Sequence, residues 1–382
     1  MKLSTSFSFG NPTTVVFGAG KLAELPKIVA GERVCLVTTA GFTRRGMTDK
    51  LRDIFGARLV SVVDTIDPNP DLDALDAIIA TVREAKPDAI LALGGGSAMD
   101  SGKVIAKGAT APEGWTLASH FRGGAAVHGE KPLRCYAVAT TSGTGAEVTP
   151  FATVWDGTTN TKHSLASQDM FPTAAVADPE LTCDMPKEVT LSTGLDAISQ
   201  ALESVWNRSC NEITLGWAIN SLRLSLHSLI KASREPGNMD ARSNMAQASL
   251  LAGLCISHTR TALAHSISYP LTAHYGLPHG FACSFTLPAL FDFNKEADDG
   301  RLDFVASALG YGNAAALRDK VADVLVDAEI WPYVTKYVKD PAGILQHVSE
   351  MITPNRSGNN LRNVDFSDIK TIVEESIRRF SK

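Results

Sequence analysis

The first half of the chain alternates short apolar runs with amphipathic stretches. The apolar runs, which predict β-strands, are residues 33–39, 58–64, 89–97 and 135–145. Between them, residues 47–55 and 72–85 carry apolar side chains at helical spacing. Because strands and helices alternate, we predict an α/β domain with a mostly parallel sheet and helices on both faces. Ligands of such sheets bind at the carboxyl ends of the strands.

The second half of the chain has a helical period and few β-branched runs. The segments that carry this period are residues 221–233, 243–258 and 366–380. A further helix is predicted within residues 192–207, with Ser192 or Thr193 as its N-terminal cap. We therefore expect the second half to be entirely α-helical.

A boundary between two domains is expected near residues 178–188, where two prolines and several acidic residues cluster. A chain of 382 residues also exceeds what one ordinary hydrophobic core holds. We predict an α/β domain at residues 1–183 and an all-α domain at residues 184–382.

The composition narrows the classes of function. The formal net charge of −5 gives no electrostatic reason to expect a nucleic acid or an anionic membrane as partner. No apolar run reaches the roughly 18 residues that a membrane span needs, and polar residues interrupt the N-terminus where a signal peptide would be apolar. The six cysteines show no CxxC pairs and are expected to be reduced and structural. A cytoplasmic protein is the expectation.

Three consecutive glycines follow the apolar run at residues 89–93. Gly94, Gly95 and Gly96 let a ligand approach the backbone, and a helix that begins near Ser97 would point free N–H groups at that place. The segment matches neither GxGxxG nor GK[ST], so a tight turn without a ligand stays an alternative. The next predicted strand ends in a second polar turn at residues 139–150, rich in hydroxyls. One extended nucleotide lying across both turns explains the pair best.

Residues 262–280 contain three of the nine histidines of the chain in an otherwise apolar stretch. Asp196 lies on a helix face that packs against a core, and Gln200 follows one turn later. A buried carboxylate needs a cation or several hydrogen-bond donors. With His265 and His279 it would suit Zn²⁺ or Fe²⁺ better than Mg²⁺ or Ca²⁺. Hydrogen-bonded core histidines remain the alternative.

Taken together, these motifs resemble the iron-dependent (group III) alcohol dehydrogenase family, and more distantly glycerol dehydrogenase and dehydroquinate synthase. The matching landmarks are "FGAG" (17–20), "DPNP" (67–70), "GGGSAMD" (94–100), "TTSGTGAEVT" (140–149), "GLDA" (194–197) and "LPHG" (277–280). The resemblance implies a Rossmann-like dinucleotide-binding α/β domain, a helical metal-binding domain and an active site in the cleft of the family's fold.

The resemblance also implies roles for individual residues. The implied contacts to the nicotinamide cofactor are Gly95, Gly96, Ser97, Asp100, Thr140, Thr141, Ser142, Thr144, Lys162 and Leu181. The implied metal ligands are Asp196, His265 and His279, with Gln200 where the family carries a histidine. The metal is expected to be Fe²⁺, with Zn²⁺ as the alternative. Tyr269 replaces a histidine often assigned to proton relay, so we expect Tyr269 and His265 to be the catalytic residues.

The residue at the end of the predicted strand at 33–39 bears on the choice of cofactor. Many NAD-preferring relatives carry an aspartate there that accepts from the ribose 2′-hydroxyl. This chain has Thr39, followed by Arg44 and Arg45, which favours a 2′-phosphate and hence NADPH, and the alternative is that both arginines are solvent-exposed.

The resemblance predicts a metal-dependent NAD(P)H-linked reductase that interconverts a small aldehyde and its primary alcohol, in a homodimer. Residues 194–207, 256–280 and 353–363 resemble the phosphonoacetaldehyde reductase branch. Arg260 and Arg362, with Arg356 in the same polar loop as Arg362, would bind an anionic substrate. The alternatives are a general short-chain alcohol dehydrogenase, a metal-free reductase, a dehydroquinate-synthase-like lyase and a non-catalytic nucleotide-binding protein.

Overall fold

The computed structural model describes Met1, Leu3, residues 6–159 and residues 161–381. The chain forms two compact units. The α/β unit comprises Gly10–Thr141 and Ala146–Thr182, and the helical unit comprises Met1–Phe9, Ser142–Gly145 and Cys183–Lys382. The ranges 1–183 and 184–382 remain a prediction, and two short segments from the first range group with the helices.

The α/β unit is built on a six-stranded sheet in the order β1-β8-β5-β4-β2-β3, in which every pairing is parallel. A separate antiparallel hairpin pairs β6 with β7. The strands are β1 (Thr14–Phe17), β2 (Val34–Val37), β3 (Leu59–Val63), β4 (Ala89–Gly94), β5 (Arg134–Ala139), β6 (Phe151–Asp156), β7 (Thr161–Ala166) and β8 (Ala174–Ala177). The predicted parallel sheet is confirmed, and the sequence pattern missed β1, β8 and the hairpin.

Helices cover both faces of this sheet because its central strands are apolar on both sides. Leu36 and Leu91 face a core with Leu51, whereas Cys35 and Ile90 face the opposite core. The α-helices of the unit are α1 (Leu25–Ile28), α2 (Ala40–Arg44), α3 (Met47–Phe55), α4 (Leu72–Ala85), α5 (Gly96–Ala109) and α6 (Leu117–Phe121). The 3-10 helices are Lys21–Glu24, Gly56–Arg58, Ala146–Val148, Gln168–Met170 and Pro179–Thr182.

The helical unit has one extensive hydrophobic core and, among its described residues, no β-strand. Its α-helices are α7 (Lys187–Val205), α8 (Glu212–Arg234), α9 (Met239–Thr259), α10 (Leu263–Tyr275), α11 (His279–Ser284), α12 (Leu287–Lys295), α13 (Arg301–Ala308), α14 (Ala314–Asp327), α15 (Ile330–Tyr337), α16 (Pro354–Ser357) and α17 (Phe366–Phe380). A long 3-10 helix spans Pro341–Glu350. The prediction of an all-α second half is confirmed.

The predicted cap of the helix that carries Asp196 is wrong. α7 begins at Lys187, five residues before Ser192, with Pro186 in the cap position. The hydroxyls that were expected to cap it have other partners: Ser192 accepts from the Gly280 amide, and Thr193 donates to the Val189 carbonyl one turn back. Both hydroxyls have hydrogen-bond partners inside a longer helix, so they do not mark its N-terminus.

The helix that carries His265, α10, contains Pro270 and continues through it to Tyr275. Gly276, in the left-handed region at φ 66°, terminates the helix. Within the part of the chain that the structure describes, no helix combines the length and the apolar character that crossing a membrane requires.

Candidate active site

The predicted cofactor residues of the α/β unit gather at one edge of its sheet. Thr39 follows β2, Gly95 follows β4 and Thr140 follows β5. Leu181 lies in the 3-10 helix after β8 and packs against one sheet core. These four strands are consecutive neighbours and parallel, so their carboxyl ends meet at the same edge.

The glycine-rich turn at this edge is shaped for close backbone approach. α5 begins at Gly96, directly after β4 ends at Gly94, so free N–H groups lie at the turn. A Cβ at Gly95 would lie 3.2 Å from a methyl carbon of Thr141, which leaves little room for any side chain. The Thr141 hydroxyl is buried and has no hydrogen-bond partner among the described residues. A helix N-terminus with an unsatisfied hydroxyl fits a pyrophosphate.

Two further predicted cofactor residues have contacts of their own. Asp100 pairs with the buried Lys103 at 2.8 Å and accepts from the Thr153 amide at 2.8 Å, which ties α5 to β6. Lys162 lies on β7, with its Nζ 6.0 Å from the centre of the Trp155 ring. The Asp100 carboxylate therefore has a structural role at this edge of the sheet, in addition to the predicted contact with a cofactor.

The three residues proposed to choose between NAD and NADP lie around one spot at the start of α2. A Cβ at Gly41 would lie 3.6 Å from Thr39 Oγ1, 3.3 Å from Arg45 Nη1 and 3.9 Å from Arg44 Nη2. A hydroxyl and two guanidinium groups around one point form a site that would accept a phosphate.

The helical unit brings the predicted metal ligands together. Donor atoms of Asp196, His265, His279 and Cys283 all lie within 4.8 Å of one another. Asp196 is on α7, His265 is in the first turn of α10 and His279 is the first residue of α11. The imidazole rings of the two histidines are 5.1 Å apart and nearly perpendicular.

Gly280 makes this approach possible. A Cβ there would lie 1.6 Å from the Ser192 carbonyl oxygen, so only glycine lets the start of α11 contact α7. The Gly280 amide donates to Ser192 Oγ at 3.2 Å. The two helices meet one turn before Asp196, and His279 is thereby held beside the carboxylate.

Glu203 is a residue of the site that sequence reasoning missed. Its carboxylate is fully buried and accepts from the His265 backbone amide at 3.1 Å. Its other oxygen lies 2.6 Å from His265 Nδ1. Glu203 therefore caps the N-terminus of α10 and fixes the imidazole with Nε2 toward Asp196, 3.2 Å away. The signal was available, since Glu203 follows Asp196 by seven residues, two turns along the same face of α7.

The two carboxylates set the electrostatics of His265. Burial alone would lower the pKa of the imidazole, but Glu203 and Asp196 outweigh it and raise that pKa to about 9. Burial acts in the opposite direction on Asp196, where the hydrogen bond from His265 and the charges of His279 and His265 hold the pKa below its usual value. The site attracts positive charge strongly.

Gln200 and Cys283 complete the surroundings of Asp196. Gln200 Nε2 donates to the Thr144 carbonyl at 3.4 Å, while its buried Oε1 has no hydrogen-bond partner among the described residues. The Cys283 thiol lies 3.7 Å from Asp196 Oδ1, and burial raises its pKa well above the usual range. Sequence reasoning took Cys283 for a core residue, although it follows His279 by one helical turn.

These residues fit a divalent transition metal. A carboxylate and two imidazoles are the donor types that Fe²⁺ and Zn²⁺ accept, and an unsatisfied buried oxygen of Gln200 adds a neutral donor. Glu203 supplies the partner that metal-binding histidines normally have on their second ring nitrogen.

A group of polar side chains lies beside this cluster. The Arg356 guanidinium lies 4.7 Å from the centre of the Tyr269 ring, and its Nη1 donates to Thr261 Oγ1 at 2.5 Å. Arg260 precedes Thr261 and has the strained φ of 62°. Burial lowers the pKa of Arg356 to about 10, a direction that the Glu203 charge opposes and the Arg260 charge reinforces.

The Arg362 guanidinium has other partners than the side chains around Arg356. It pairs with Glu296 at 2.8 Å and with Asp368 at 3.6 Å, and it stacks 4.1 Å from the centre of the Phe293 ring. Its charge is already balanced by two carboxylates. Ser142 and Thr144, predicted as cofactor contacts, lie in the short segment that groups with the helical unit.

Comparison with known proteins points to one family. The profile described as "Iron-containing alcohol dehydrogenase" matches residues 12–179, and the one described as "Fe-containing alcohol dehydrogenase family, C-terminal" matches residues 190–377. The chain is 30% identical to a phosphonoacetaldehyde reductase of Streptomyces viridochromogenes, over 94% of each chain. It is 29% identical to alcohol dehydrogenase 4 of Schizosaccharomyces pombe, over 86% of this chain and 79% of that one.

A solved structure of similar fold is the sulfoacetaldehyde reductase of Bifidobacterium kashiwanohense in complex with NAD⁺. The alignment has a TM-score of 0.89 and 29% sequence identity, and it covers 97% of this chain and 99% of that one.

Proposed function

The chain belongs to the iron-containing alcohol dehydrogenase family, as its motifs predicted, and on that premise we propose that it reduces a small anionic aldehyde to its primary alcohol. Membership makes it an oxidoreductase that uses a nicotinamide cofactor. The proposed substrate is phosphonoacetaldehyde, and the proposed product is 2-hydroxyethylphosphonate.

Asp196, His265 and His279 would hold the metal, with the Gln200 oxygen as a fourth donor. When bound, the metal would supply Lewis acidity toward the carbonyl oxygen and the nicotinamide would supply the hydride. Glu203 keeps His265 in the tautomer and orientation that ligation needs.

Tyr269 would supply the proton. It lies one helical turn after His265 on α10, so its hydroxyl and the metal ligand face the same side of the helix. The proton on the Tyr269 hydroxyl would be donated to the oxygen of the reduced substrate, and the Arg356 guanidinium lies over the ring, 4.7 Å from its centre.

The observation that best supports an anionic substrate is the environment of the Arg356 guanidinium. No carboxylate among the described residues lies within ion-pair distance of this partly buried guanidinium, and the charge of Arg260 repels it. The nearby Glu203 is engaged with His265. A partly buried guanidinium without a carboxylate partner favours an anion, and a phosphonate pairs well with arginine. We therefore base the proposal on Arg356, with Arg260 beside it, and Arg362, also predicted from the sequence, has less support.

The relatives give independent support. The phosphonoacetaldehyde reductase and the sulfoacetaldehyde reductase named above both act, by their names, on a two-carbon aldehyde with an anionic end. The group around Gly41 supports a preference for NADPH, because Arg44 and Arg45 would pair with a 2′-phosphate. A cytoplasmic location and a homodimer stay predictions.

The testing experiment follows NADPH and NADH oxidation with four aldehydes side by side: phosphonoacetaldehyde, sulfoacetaldehyde, succinic semialdehyde and propanal. We expect the highest kcat/KM with phosphonoacetaldehyde and NADPH. A clear preference for propanal would overturn the anionic substrate and favour a general short-chain alcohol dehydrogenase. Absence of stoichiometric cofactor oxidation with every aldehyde would favour a lyase or a non-catalytic nucleotide-binding protein.

A further inference from the structure

A second group of two histidines and a carboxylate lies at the other end of α10. His274 Nε2 is 2.7 Å from one oxygen of Glu350, and His347 Nδ1 is 3.0 Å from the other oxygen. The two imidazoles stack with their centres 4.1 Å apart and their planes 18° apart. One donor atom from each of the three residues lies within 4.8 Å of the other two.

We propose that His274, His347 and Glu350 form a second, solvent-facing site for a divalent transition-metal ion, with Zn²⁺ as the fitting ion. This site is separate from the buried cluster, and the proposed function does not depend on it. Two imidazoles and a carboxylate are typical Zn²⁺ ligands, and Mg²⁺ and Ca²⁺ prefer all-oxygen sets.

The distances suit this ion. Nitrogen and oxygen ligands lie about 2.0–2.2 Å from Zn²⁺, so neighbouring ligands of a tetrahedral ion are about 3.4 Å apart. The separations between the histidine nitrogens and the two oxygens of Glu350 are 2.7 and 3.0 Å. They would widen by about 0.7 and 0.4 Å, and the stacked imidazoles would rotate so that both nitrogens face the ion. All three side chains reach the surface, where water can fill the fourth position.

The proposed ion would link two segments that already pack together. His274 belongs to the last turn of α10, whereas His347 and Glu350 belong to the 3-10 helix Pro341–Glu350. Just beyond that helix, the Met351 carbonyl and the Thr353 hydroxyl bond Ser266 on α10 at 2.7 and 2.8 Å. An ion at the exposed end would fasten this segment to α10 and so raise the melting temperature when Zn²⁺ is present.

The test is equilibrium dialysis of the full chain, with its native metal bound at the buried cluster, against Zn²⁺ alone. We expect saturable binding of about one further ion per chain. His347→Gln and Glu350→Gln should each weaken that binding at least about tenfold, because each removes one of three ligands. Both variants should keep the basal rate of aldehyde reduction.

The matched control is His227→Gln. His227 is an exposed histidine on α8 whose Nδ1 contacts the carbonyl of Arg223 in its own helix at 2.8 Å. This variant should bind the further ion as the wild type does. The proposal is overturned if no saturable further ion binds, if His347→Gln and Glu350→Gln bind it unchanged, or if His227→Gln weakens it equally. A Zn²⁺-dependent rise in melting temperature should appear in the wild type and vanish in Glu350→Gln.

Discussion

α10 carries a histidine–carboxylate cluster at each end, and the two differ chiefly in burial. At its start, His265 lies between Glu203 and Asp196, with side chains that are 0 to 4% exposed. At its end, His274 and Glu350 are 34% and 49% exposed. Both clusters contain two imidazoles and a carboxylate, and the buried cluster adds the Cys283 thiol. At the buried cluster a second carboxylate, that of Glu203, also fixes the orientation of His265 through its Nδ1. Chemistry that needs a fixed, dry ion belongs at the buried end.

The difference shows that residue type alone does not identify a catalytic centre. A histidine–carboxylate pair that is exposed to water is weak and screened. In the protein interior such a pair keeps its geometry, and its carboxylate attracts a cation strongly. We therefore expect substitutions at the buried end to affect turnover, and substitutions at the exposed end to affect only the binding of an added ion.

The largest effect is expected from removal of a buried ligand. Asp196→Asn or His279→Ala should lower kcat by about a thousandfold or more, because Lewis-acid stabilisation is worth several kcal/mol. Steady-state kinetics measures this, and circular dichroism and NADPH fluorescence check that fold and cofactor binding persist. If either variant kept the wild-type kcat, the buried cluster would not be the catalytic one, and the proposed difference between the two clusters would be wrong.

A smaller loss is expected from Glu203→Gln. The amide keeps the shape but no longer offers two anionic oxygens to His265, so metal affinity or kcat should fall about 10- to 100-fold. Competition with a chelator of known affinity measures the metal affinity, and steady-state kinetics measures kcat. Glu203 is a positioning residue, so raising the metal concentration should restore much of the activity. An activity loss that excess metal leaves unchanged would argue against that role.

Arg356→Ala should act selectively. Loss of one charged hydrogen-bond donor should lower kcat/KM for phosphonoacetaldehyde about 10- to 30-fold and leave propanal nearly unchanged. Arg362→Ala is the matched control, since its guanidinium is engaged by Glu296 and Asp368. Equal losses on both aldehydes would indicate a structural role for Arg356.

Gln200→His should tighten the binding of the buried metal by about tenfold, because an imidazole is a better transition-metal ligand than an amide oxygen. Competition with a chelator of known affinity measures this change in metal affinity. Weaker binding would show that Gln200 has a different role, such as holding the Thr144 carbonyl.

The smallest effect is expected at the exposed end without added metal. Glu350→Gln removes two surface pairs, and such pairs contribute between 0 and about 1 kcal/mol. Urea unfolding should therefore give nearly the wild-type free energy of unfolding. A loss of several kcal/mol would mean that the exposed cluster is a structural element in its own right.

Much of the fold was predictable because its signals are local. The helical period placed α3 and α4 at their observed bounds, and the apolar runs placed β2 to β5. β1 and β8 were missed because four-residue strands leave too short a pattern. Ser192 misled the prediction, since its hydroxyl serves a contact to Gly280 that no local pattern reveals.

For the site, single motifs predicted Asp196, His265 and His279, and the structure brings them together. Cys283 was not predicted because it looks like part of an apolar helix face until its neighbours from other helices are known. Glu203 was missed although its spacing of seven residues from Asp196 places it on the same face of α7. Arg356 became the stronger candidate for binding an anionic substrate only once the ion pairs of Arg362 were visible.

The most direct test of the proposed metal centre at the buried cluster is turnover before and after treatment with a strong chelator. Wild type and His347→Gln should both lose activity when a strong chelator strips the metal, and both should regain it with about one equivalent of Fe²⁺ or Zn²⁺ per chain. Identical curves would assign the catalysis to the cluster of Asp196, His265 and His279. A metal-free preparation that turns over at the full rate would contradict the account.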